Sequence, residues 1–563
     1  MDCQALYDQW CTSPLVDAGT KAELESIRGN DGEIEERFYR ELEFGTAGLR
    51  GILGAGTNRM NIYVVRRASL GLAAYLASVG GAKERGVCIA YDSRHFSREF
   101  AEETAVTLGA RGIRVYLFSS LRAVPQLSFT LQHLHCMAGV VITASHNPSK
   151  YNGYKVYWAH GGQVAPVQAS AIFDCIEKTP MLSGEQGNLQ ALLDAGTVRM
   201  IGEMEDEAYY QATAGLCLCP GLLKTHGKDL NIVYTPLHGT GNIPVRTILS
   251  RIGITNVTIV PEQAAPDGAF PTVTAPNPED PNAFRLAIAL AEEMQATVCL
   301  ATDPDADRLG VAVKTGDGKW VTLTGNQIGC ILLEHILSAR KQAGTLPKNG
   351  AVVKSVVSTR LADAICARYG VELVDVLTGF RFISEKIDEY ARTGEKTFLF
   401  GFEESFGFLA GGLSRDKDGI CAAMLVAETC VCCLEKGITL YDMLQAIYSD
   451  YGYYQEKVKS YTLEGKAGME KIARCMDSLR SDAPTIIGGT AIESAEDYFT
   501  AHEPANMVRF LLADGSWIVV RPSGTEPKLK LYIGANAATQ PAVQAVLNTL
   551  FADMDNMLTE RLG

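Results

Sequence analysis

The chain has 563 residues, of which 47% are hydrophobic and 21% are charged, and its formal net charge is −14. This length is too great for one hydrophobic core and predicts roughly three to five domains. The negative charge argues against a nucleic-acid-binding protein, which needs a basic surface. Residues 1–50 show no signal-peptide pattern, and the longest apolar stretch, 420–434, contains Glu428 and is too short to span a bilayer. We therefore expect neither a nucleic-acid nor a membrane partner.

The 15 cysteines are odd in number and scattered through apolar segments, which does not indicate a disulfide framework. Residues 430–433 contain a C-x-x-C spacing, which also occurs in metal and redox sites. No second pair follows at the spacing of a zinc site, and the stretch has the composition of a buried helix, so we expect buried thiols there. Free thiols are typical of a reducing compartment, which predicts a cytoplasmic protein.

Strand and helix patterns alternate in three successive parts of the chain, after a helical opening stretch. The predicted strands of the three parts are 87–91, 114–118 and 139–143; 231–237, 257–260 and 297–301; and 351–357, 371–377 and 397–400. The predicted helices are 64–79 and 100–112; 244–252 and 283–296; and 359–369 and 383–393. Such alternation predicts parallel sheets covered by helices. Its recurrence predicts a threefold structural repeat.

The last part of the chain has a different pattern. Alternating runs at 507–512 and 517–520 flank Ala513-Asp514-Gly515-Ser516, which predicts a β-hairpin, and a strand at 529–533 and a helix at 542–557 follow. The predicted fold class is therefore α/β, with three consecutive similar α/β domains containing mixed or parallel sheets and a C-terminal α+β domain. The predicted domains are residues 1–203, 204–320, 321–452 and 453–563.

One buried strand ends in a turn that presents a hydroxyl, Thr143-Ala144-Ser145-His146-Asn147-Pro148. Loops beyond the carboxyl ends of strands are where such sheets place their functional groups. Ser145 has this position, and Lys155 follows it in the chain. A serine turn without function is the alternative for this motif taken alone.

A second loop, Asp303-Pro304-Asp305-Ala306-Asp307-Arg308, follows the strand predicted at 297–301. Alternating carboxylates can converge on one point, and all-oxygen anionic ligands suit Mg²⁺, particularly when a phosphate supplies a further ligand. An acidic surface loop is the alternative, which the buried strand before it disfavours. We predict a metal site at Asp303, Asp305 and Asp307, with Arg308 placed for a phosphate.

Three further loops carry residues that suit phosphates or sugars. Arg521-Pro522-Ser523-Gly524-Thr525 offers a guanidinium and two hydroxyls to a phosphate, with a plain β-turn as the alternative. Glu403 and Ser405 can bind neighbouring sugar hydroxyls, with Glu404 pointing away between them; a polar strand end is the alternative. The glycine-rich loop that includes Arg50 is either an anion site or a turn.

Together these motifs resemble those of the α-D-phosphohexomutases, the phosphoglucomutase/phosphomannomutase family. The resemblance rests on residues 143–148, 303–308, 403–405 and 521–525, which occur in the family's order, one in each domain. The chain length and residues 152–158 are most similar to the long phosphoglucomutase branch, which also includes phosphopentomutases.

The resemblance implies four domains around a central cleft and an enzyme that interconverts glucose 1-phosphate and glucose 6-phosphate. Ser145 would carry the phosphoryl group and complete a Mg²⁺ site with the three aspartates, and glucose 1,6-bisphosphate is the expected intermediate and activator. His146, Lys155 and His238 are candidates for proton transfer. The substrate-binding residues that the resemblance implies are Arg50, Arg308, Thr378, Gly379, Glu403, Ser405, Lys417, Arg521, Ser523, Gly524 and Thr525.

Other activities are alternatives. Phe402 and Phe406 flank the sugar loop where many family members have smaller residues, so a phosphomannomutase or a phosphopentomutase is possible. A metal-dependent phosphatase using Ser145 is less favoured, because it does not need a second phosphate loop. A non-enzymatic sugar-phosphate sensor needs neither Ser145 nor the aspartates. The expected partners are small-molecule sugar phosphates, and the expected assembly is a monomer or a small homo-oligomer.

Overall fold

The computed structural model describes residues 2–45, 48–463, 465–500, 505–523 and 528–563. In these ranges the helices are α1 Cys3–Thr12, α2 Ala18–Ser26, α3 Asp31–Phe38, α4 Ile62–Ala77, α5 Ala82–Arg85, α6 Ser97–Gly109, α7 Val124–His133, α8 Pro166–Glu177, α9 Leu189–Asp194, α10 Glu203–Ala214, α11 Pro220–His226, α12 Asn242–Arg251, α13 Pro261–Ala264, α14 Arg285–Glu293, α15 Gly325–Gln342, α16 Leu361–Tyr369, α17 Phe380–Thr393, α18 Gly419–Glu435, α19 Leu440–Tyr451, α20 Gly465–Ser481 and α21 Gln540–Leu562. None of these helices has the length and apolarity that a membrane crossing requires.

The strands form four sheets. They are β1 Gly48–Ile52, β2 Val87–Tyr91, β3 Val115–Phe118, β4 Ala138–Ile142, β5 Tyr151–Trp158, β6 Val198–Ile201, β7 Ile232–Thr235, β8 Val257–Ile259, β9 Val298–Thr302, β10 Leu309–Lys314, β11 Trp320–Thr322, β12 Gly350–Ser355, β13 Glu372–Val376, β14 Thr397–Glu403, β15 Gly407–Ala410, β16 Tyr453–Thr462, β17 Ile486–Ile487, β18 Thr490–Asp497, β19 Val508–Leu512, β20 Trp517–Pro522 and β21 Lys528–Ala537. The strand orders are β1-β5-β4-β2-β3-β6, β11-β10-β9-β7-β8, β13-β12-β14-β15 and β16-β21-β20-β19-β18-β17. The predicted fold class is confirmed, while the domain boundaries stay a prediction.

Each of the first three sheets is mixed for the same reason. The inner pairs β2/β4, β7/β9 and β12/β14 are parallel, as the alternation predicts. The strand after each predicted functional loop then turns back, so β4/β5, β9/β10 and β14/β15 are antiparallel. The parallel arrangement continues to the edge strands β6, β8 and β13, and it ends where the chain returns after each predicted functional loop. In each sheet the candidate functional residues therefore lie in the turn of a hairpin.

The fourth sheet is antiparallel throughout its described pairs, from β16/β21 to β17/β18. The predicted hairpin is present between β19 and β20, where the N–H of Leu512 donates to the Ser516 carbonyl over 2.9 Å. Apolar side chains of this sheet pack with α20 and α21 in a core of their own. The predicted α+β character of the last domain is confirmed.

Helix α18 is the buried helix that the apolar stretch 420–434 predicts. Its side chains join those of the second and third sheets in one large apolar cluster. Asp418 caps its start, since the carboxylate accepts the Cys421 N–H over 2.8 Å and the Tyr209 hydroxyl over 2.9 Å. The second and third domains therefore share a core that runs along this helix.

Gly419, the first residue of α18, packs against the backbone of the loop 303–308. A Cβ at this position would lie 2.7 Å from the Arg308 carbonyl oxygen and 2.8 Å from that of Ala306. We expect Gly419→Ala to lower the free energy of unfolding by about 1–3 kcal/mol, because packed backbone has to move. Denaturant unfolding measures this change.

The matched control is Gly221→Ala near the start of α11, where an added Cβ would meet no described atom within 4 Å. Equal stabilities of the two variants would contradict tight packing between α18 and the loop.

Candidate active site

Ser145 lies in the turn between β4 and β5, after a strand whose residues are all buried. Its backbone has a φ of 50°, a left-handed conformation that is uncommon for residues other than glycine. The Arg94 guanidinium holds this turn by donating to the carbonyl groups of Ser145, Asn147, Pro148 and Tyr151. Surrounding hydrogen bonds of this kind are what maintain a strained turn.

The Ser145 side chain faces the second domain. Its hydroxyl donates to Asp303 Oδ2 over 2.6 Å, and Oγ lies 3.2 Å from Nδ1 of His146. Thr143 accepts the Ser145 N–H over 2.8 Å and donates to Asp305 Oδ2 over 3.1 Å. Burial keeps the pKa of His146 well below its ordinary value, so this imidazole is neutral at pH 7.

The loop between β9 and β10 gathers three buried carboxylates. Asp303, Asp305 and Asp307 each place a carboxylate oxygen within 4.8 Å of the others. Burial and the two neighbouring carboxylates raise the pKa of Asp303. Burial acts in the same direction on Asp305, but the adjacent Lys155 outweighs it and lowers the pKa of this carboxyl. The three buried carboxylates thus compete for negative charge, because each makes ionisation of the others less favourable.

Two lysines from the other domains compensate this charge. Lys155 on β5 places Nζ 3.0 Å from Asp305 Oδ2. Lys417, just before α18, places Nζ 3.0 Å from Asp307 Oδ2 and 3.1 Å from Asp416 Oδ1. Burial disfavours a charged lysine, but these carboxylates outweigh it and raise the pKa of both side chains. Both lysines are fixed as cations.

Oxygen atoms of the cluster are available as metal ligands. Among the described residues, nothing donates a hydrogen bond to Asp305 Oδ1 or Asp307 Oδ1, although both atoms are buried. Buried carboxylate oxygens are ordinarily hydrogen-bonded, and oxygen-only anionic donors suit a hard divalent cation. The three aspartates can therefore bind a metal ion beside the Ser145 hydroxyl.

The turn between β14 and β15 carries the predicted sugar-binding pair. Glu403 ends the strand, and its Oε1 accepts the Gly379 N–H over 2.7 Å. Ser405 follows in the turn, where the Phe406 carbonyl accepts the Leu309 N–H over 3.1 Å. This turn is thus hydrogen-bonded both to Gly379 and to the strand that follows the carboxylates.

The predicted phosphate loop lies at the end of β20. Arg521 lies in this strand, and the N–H of Ser523 donates to the Lys528 carbonyl over 2.7 Å. The predicted residues Gly524 and Thr525 lie outside the described part of the chain.

The four domains meet around one cleft with a volume of about 1060 Å³. Side chains or backbone of eight predicted site residues line it: Arg50, His146, Arg308, Thr378, Gly379, Glu403, Ser405 and Arg521. Ser145, the three aspartates and Lys417 are buried beside it. Arg308 connects the two groups, since its N–H donates to Asp303 Oδ1 over 3.1 Å.

Two residues that no sequence motif predicted hold the site together. Arg94 is one of them. The sequence pattern that could have indicated it is the charged run Asp92-Ser93-Arg94, which directly follows the buried strand β2. Asp416 is another: its Oδ2 accepts the Tyr157 hydroxyl over 2.8 Å and the Gln163 amide over 2.9 Å. This carboxylate connects the first domain to the loop that carries Lys417. A local sequence pattern cannot predict such a contact, because the residues are far apart in the chain.

His238 is placed differently from the other candidates for proton transfer. Its Nε2 lies 2.9 Å from the Thr272 hydroxyl, and its Nδ1 lies 3.2 Å from the Ala265 carbonyl oxygen. The imidazole is buried and does not line the cleft. These contacts give His238 a structural position within the second domain.

Comparison with known families covers most of the chain. Models of the phosphoglucomutase/phosphomannomutase family match in order, with alpha/beta/alpha domain I at residues 41–182, domain II at 207–316, domain III at 324–451 and the C-terminal domain at 476–550. The chain belongs to this family. The resemblance inferred from the four loops is confirmed.

Individual members of the phosphoglucomutase/phosphomannomutase family match over nearly the full length. A phosphoglucomutase from Staphylococcus saprophyticus is 37% identical over 511 residues, covering 88% of this chain and 90% of that protein. One from Staphylococcus haemolyticus is 36% identical over 540 residues, covering 92% and 95%. The open form of parafusin, a phosphoglucomutase from Paramecium, has the same fold, with a TM-score of 0.69 at 18% identity over 93% of this chain and 95% of its own.

Glu404 also lines the cleft, although the strand register predicts that it points away. Strand β14 ends at Glu403, and the next side chain turns to Ser355, whose hydroxyl donates to Glu404 Oε2 over 3.0 Å. Burial and the neighbouring Glu403 raise the pKa of Glu404 to about 7. Glu404 is therefore an ionisable group of the cleft that titrates near neutral pH.

The raised pKa of Glu404 predicts a specific pH dependence of stability. The pKa of Glu404 is 4.5 ordinarily and about 7 in the folded chain, so the folded state binds the proton more tightly. This contribution to stability is fully present below pH 4.5 and is lost as the pH rises through 7. We expect Glu404→Gln to match wild type at about pH 5 and to exceed its free energy of unfolding by about 1–3 kcal/mol at about pH 8.

Denaturant unfolding at both pH values measures the difference, and Glu293→Gln at an exposed position is the control. The same pH dependence in wild type and Glu404→Gln would contradict the raised pKa.

Proposed function

We propose that the chain is a phosphoglucomutase that interconverts glucose 1-phosphate and glucose 6-phosphate through a phosphorylated Ser145. The observation that carries this proposal is the meeting, around one cleft, of a loop for each task of such a reaction. Ser145 and the aspartates suit the transferring phosphoryl group, Glu403 and Ser405 suit the sugar, and Arg521 suits a second phosphate. A phosphatase needs no second phosphate site.

In the proposed reaction, the phosphoryl group leaves Ser145 Oγ and bonds to the free hydroxyl oxygen of the bound sugar phosphate, which loses its proton. The product is glucose 1,6-bisphosphate, which turns around in the cleft and returns its other phosphoryl group to Ser145. His146, neutral and with Nδ1 3.2 Å from Oγ, is placed to exchange the proton with the serine oxygen. Lys155, a fixed cation, stabilises negative charge but does not act as a base.

Mg²⁺ is the proposed metal, and Asp303, Asp305 and Asp307 together with Ser145 Oγ would hold it where it neutralises the phosphoryl oxygens. Phosphoryl transfer depends mostly on alignment and charge compensation. Lys155 and Lys417 fix the direction of the carboxylates in the protein itself. Glucose 1,6-bisphosphate is the proposed activator, because it can phosphorylate Ser145 in an enzyme that has lost the group.

The remaining loops would bind the substrate. A reversible transfer between C1 and C6 requires that the same groups hold the sugar in both orientations. Glu403 and Ser405 are proposed to bind ring hydroxyls, and Arg521 and Ser523 the phosphate that does not react. We further propose a cytoplasmic enzyme whose partners are sugar phosphates, as a monomer or a small homo-oligomer.

The test of the reaction is conversion of glucose 1-phosphate to glucose 6-phosphate with Mg²⁺ and a trace of glucose 1,6-bisphosphate. We expect Ser145→Ala to lower kcat by about 10³-fold or more, because the group that carries the phosphoryl is removed. Ser149→Ala, a serine in the same turn region, is the matched control and should keep wild-type activity.

Mannose 1-phosphate and ribose 1-phosphate are assayed in parallel. Turnover of only one of these sugars would keep the mechanism but replace glucose as the substrate. Inorganic phosphate released as fast as the isomer forms would indicate a phosphatase, and activity retained by Ser145→Ala would overturn the covalent route.

Arg521 tests the proposed second phosphate site. We expect Arg521→Met to raise KM at least about tenfold, because a charge-assisted contact to the phosphate that does not react is lost. Steady-state kinetics measure this, with Arg474→Met, an exposed position of α20 in the same domain, as the control. An unchanged KM in Arg521→Met would place the second phosphate elsewhere.

A further inference from the structure

A second cluster of potential metal ligands lies outside the cleft. Cys219, His335 and Cys432 each offer one ligand atom, and these atoms all lie within 4.8 Å of one another. They come from three separate elements: the residue before α11, the middle of α15 and the last turns of α18. Cys432 lies between the two cysteines of the C-x-x-C spacing, Cys430 and Cys433, and the fold brings it together with two ligands that are distant in the sequence.

Glu428 holds this cluster in place from one turn earlier on α18. Its Oε1 accepts the N–H groups of Leu218 and Cys219, and its Oε2 lies 3.3 Å from His335 Nε2. In the tautomer that donates Nε2–H to this carboxylate, Nδ1 of His335 carries the lone pair that can bind a metal. A carboxylate that orients an imidazole by taking its other N–H is the usual support of a histidine metal ligand.

We propose that Cys219, His335 and Cys432 bind a Zn²⁺ ion. Two thiolates and an imidazole are the donors that zinc prefers, and they disfavour Mg²⁺, which takes oxygen ligands. His335 is buried, whereas both cysteines are partly exposed, so solvent can supply a fourth ligand. Two thiolates balance the charge of the ion, and Glu428 already contacts the His335 ring and the backbone N–H of Cys219.

This site is separate from the carboxylate cluster. Gly419 and Cys432 are thirteen positions apart along α18, which corresponds to about 20 Å at 1.5 Å per residue. The ion would connect α11, which follows the second domain's first helix α10, to α15 and α18, which pack against the third sheet. It would therefore brace the core that the second and third domains share, without taking part in the reaction.

Cobalt spectroscopy of the reduced, metal-free full chain tests the proposal. We expect Co²⁺ to give sulfur-to-metal charge-transfer absorption that saturates at one equivalent and disappears when Zn²⁺ is added. The aspartate site can also bind Co²⁺, but oxygen ligands give no such band. Cys219→Ser and Cys432→Ser should each lose at least about half of the band, since one of two thiolates is removed. His335→Gln should weaken Zn²⁺ binding at least about tenfold.

Cys175→Ser, which removes a partly exposed thiol on α8, is the matched control and should keep the full band. Alkylation of the wild-type chain gives a second measurement that does not depend on the folding of a variant. Zn²⁺ should protect Cys219 and Cys432 from the reagent and leave Cys175 unprotected. Absence of a sulfur band in the reduced wild type, equal protection of all three thiols, or a Cys219–Cys432 disulfide in protein isolated anaerobically would each overturn the proposal.

Discussion

The burial of three carboxylates at one point is the constraint on which the rest of the site depends. Two unit charges no more than 4.8 Å apart would repel by at least about 3 kcal/mol at an effective dielectric constant near 20, and each of these carboxylates has two such neighbours. The compensating cations, Lys155 and Lys417, come from the first and third domains. This compensation requires that both domains pack against the second, so the candidate metal-binding loop depends on the whole assembly.

The same hairpin geometry places the candidate functional residues in each of the first three domains. A buried strand ends, the chain turns, and the next strand runs back antiparallel along it. The turns share direct contacts: Ser145 donates to Asp303, and Leu309 donates to the Phe406 carbonyl. Because each turn is held at both ends by ladder hydrogen bonds, the reacting groups are positioned by rigid strands and not by long mobile loops.

Local patterns predicted the inner strands and the loops after them, because continuous β-branched runs such as Val140–Ile142 are a strong signal. The antiparallel strands that follow these loops were not predicted. In β5, for example, Asn152, Gly153 and Lys155 interrupt the regular alternation of apolar and polar residues that predicts a strand. Contacts between distant residues were also beyond local patterns. Asp416 binds Tyr157, and Cys432 lies beside Cys219 and His335, only because separate domains pack together. The two cysteines with the C-x-x-C spacing, Cys430 and Cys433, are buried as predicted, and the thiol that joins the cluster is Cys432 between them.

The apolar contacts between neighbouring domains differ in size, and this difference indicates which domain can move to close the cleft. The second and third domains share one apolar core along α18, which a metal ion at Cys219, His335 and Cys432 would brace further. The fourth domain has its own core and meets the third through a smaller apolar cluster, including Val357 and Trp517. If Ser145 carries a phosphoryl group as proposed, water has to be kept from it, and closure of the cleft would do this. The smaller interface is the one that can rearrange at least cost, so binding of a second phosphate by Arg521 would both select the substrate and draw the fourth domain over it.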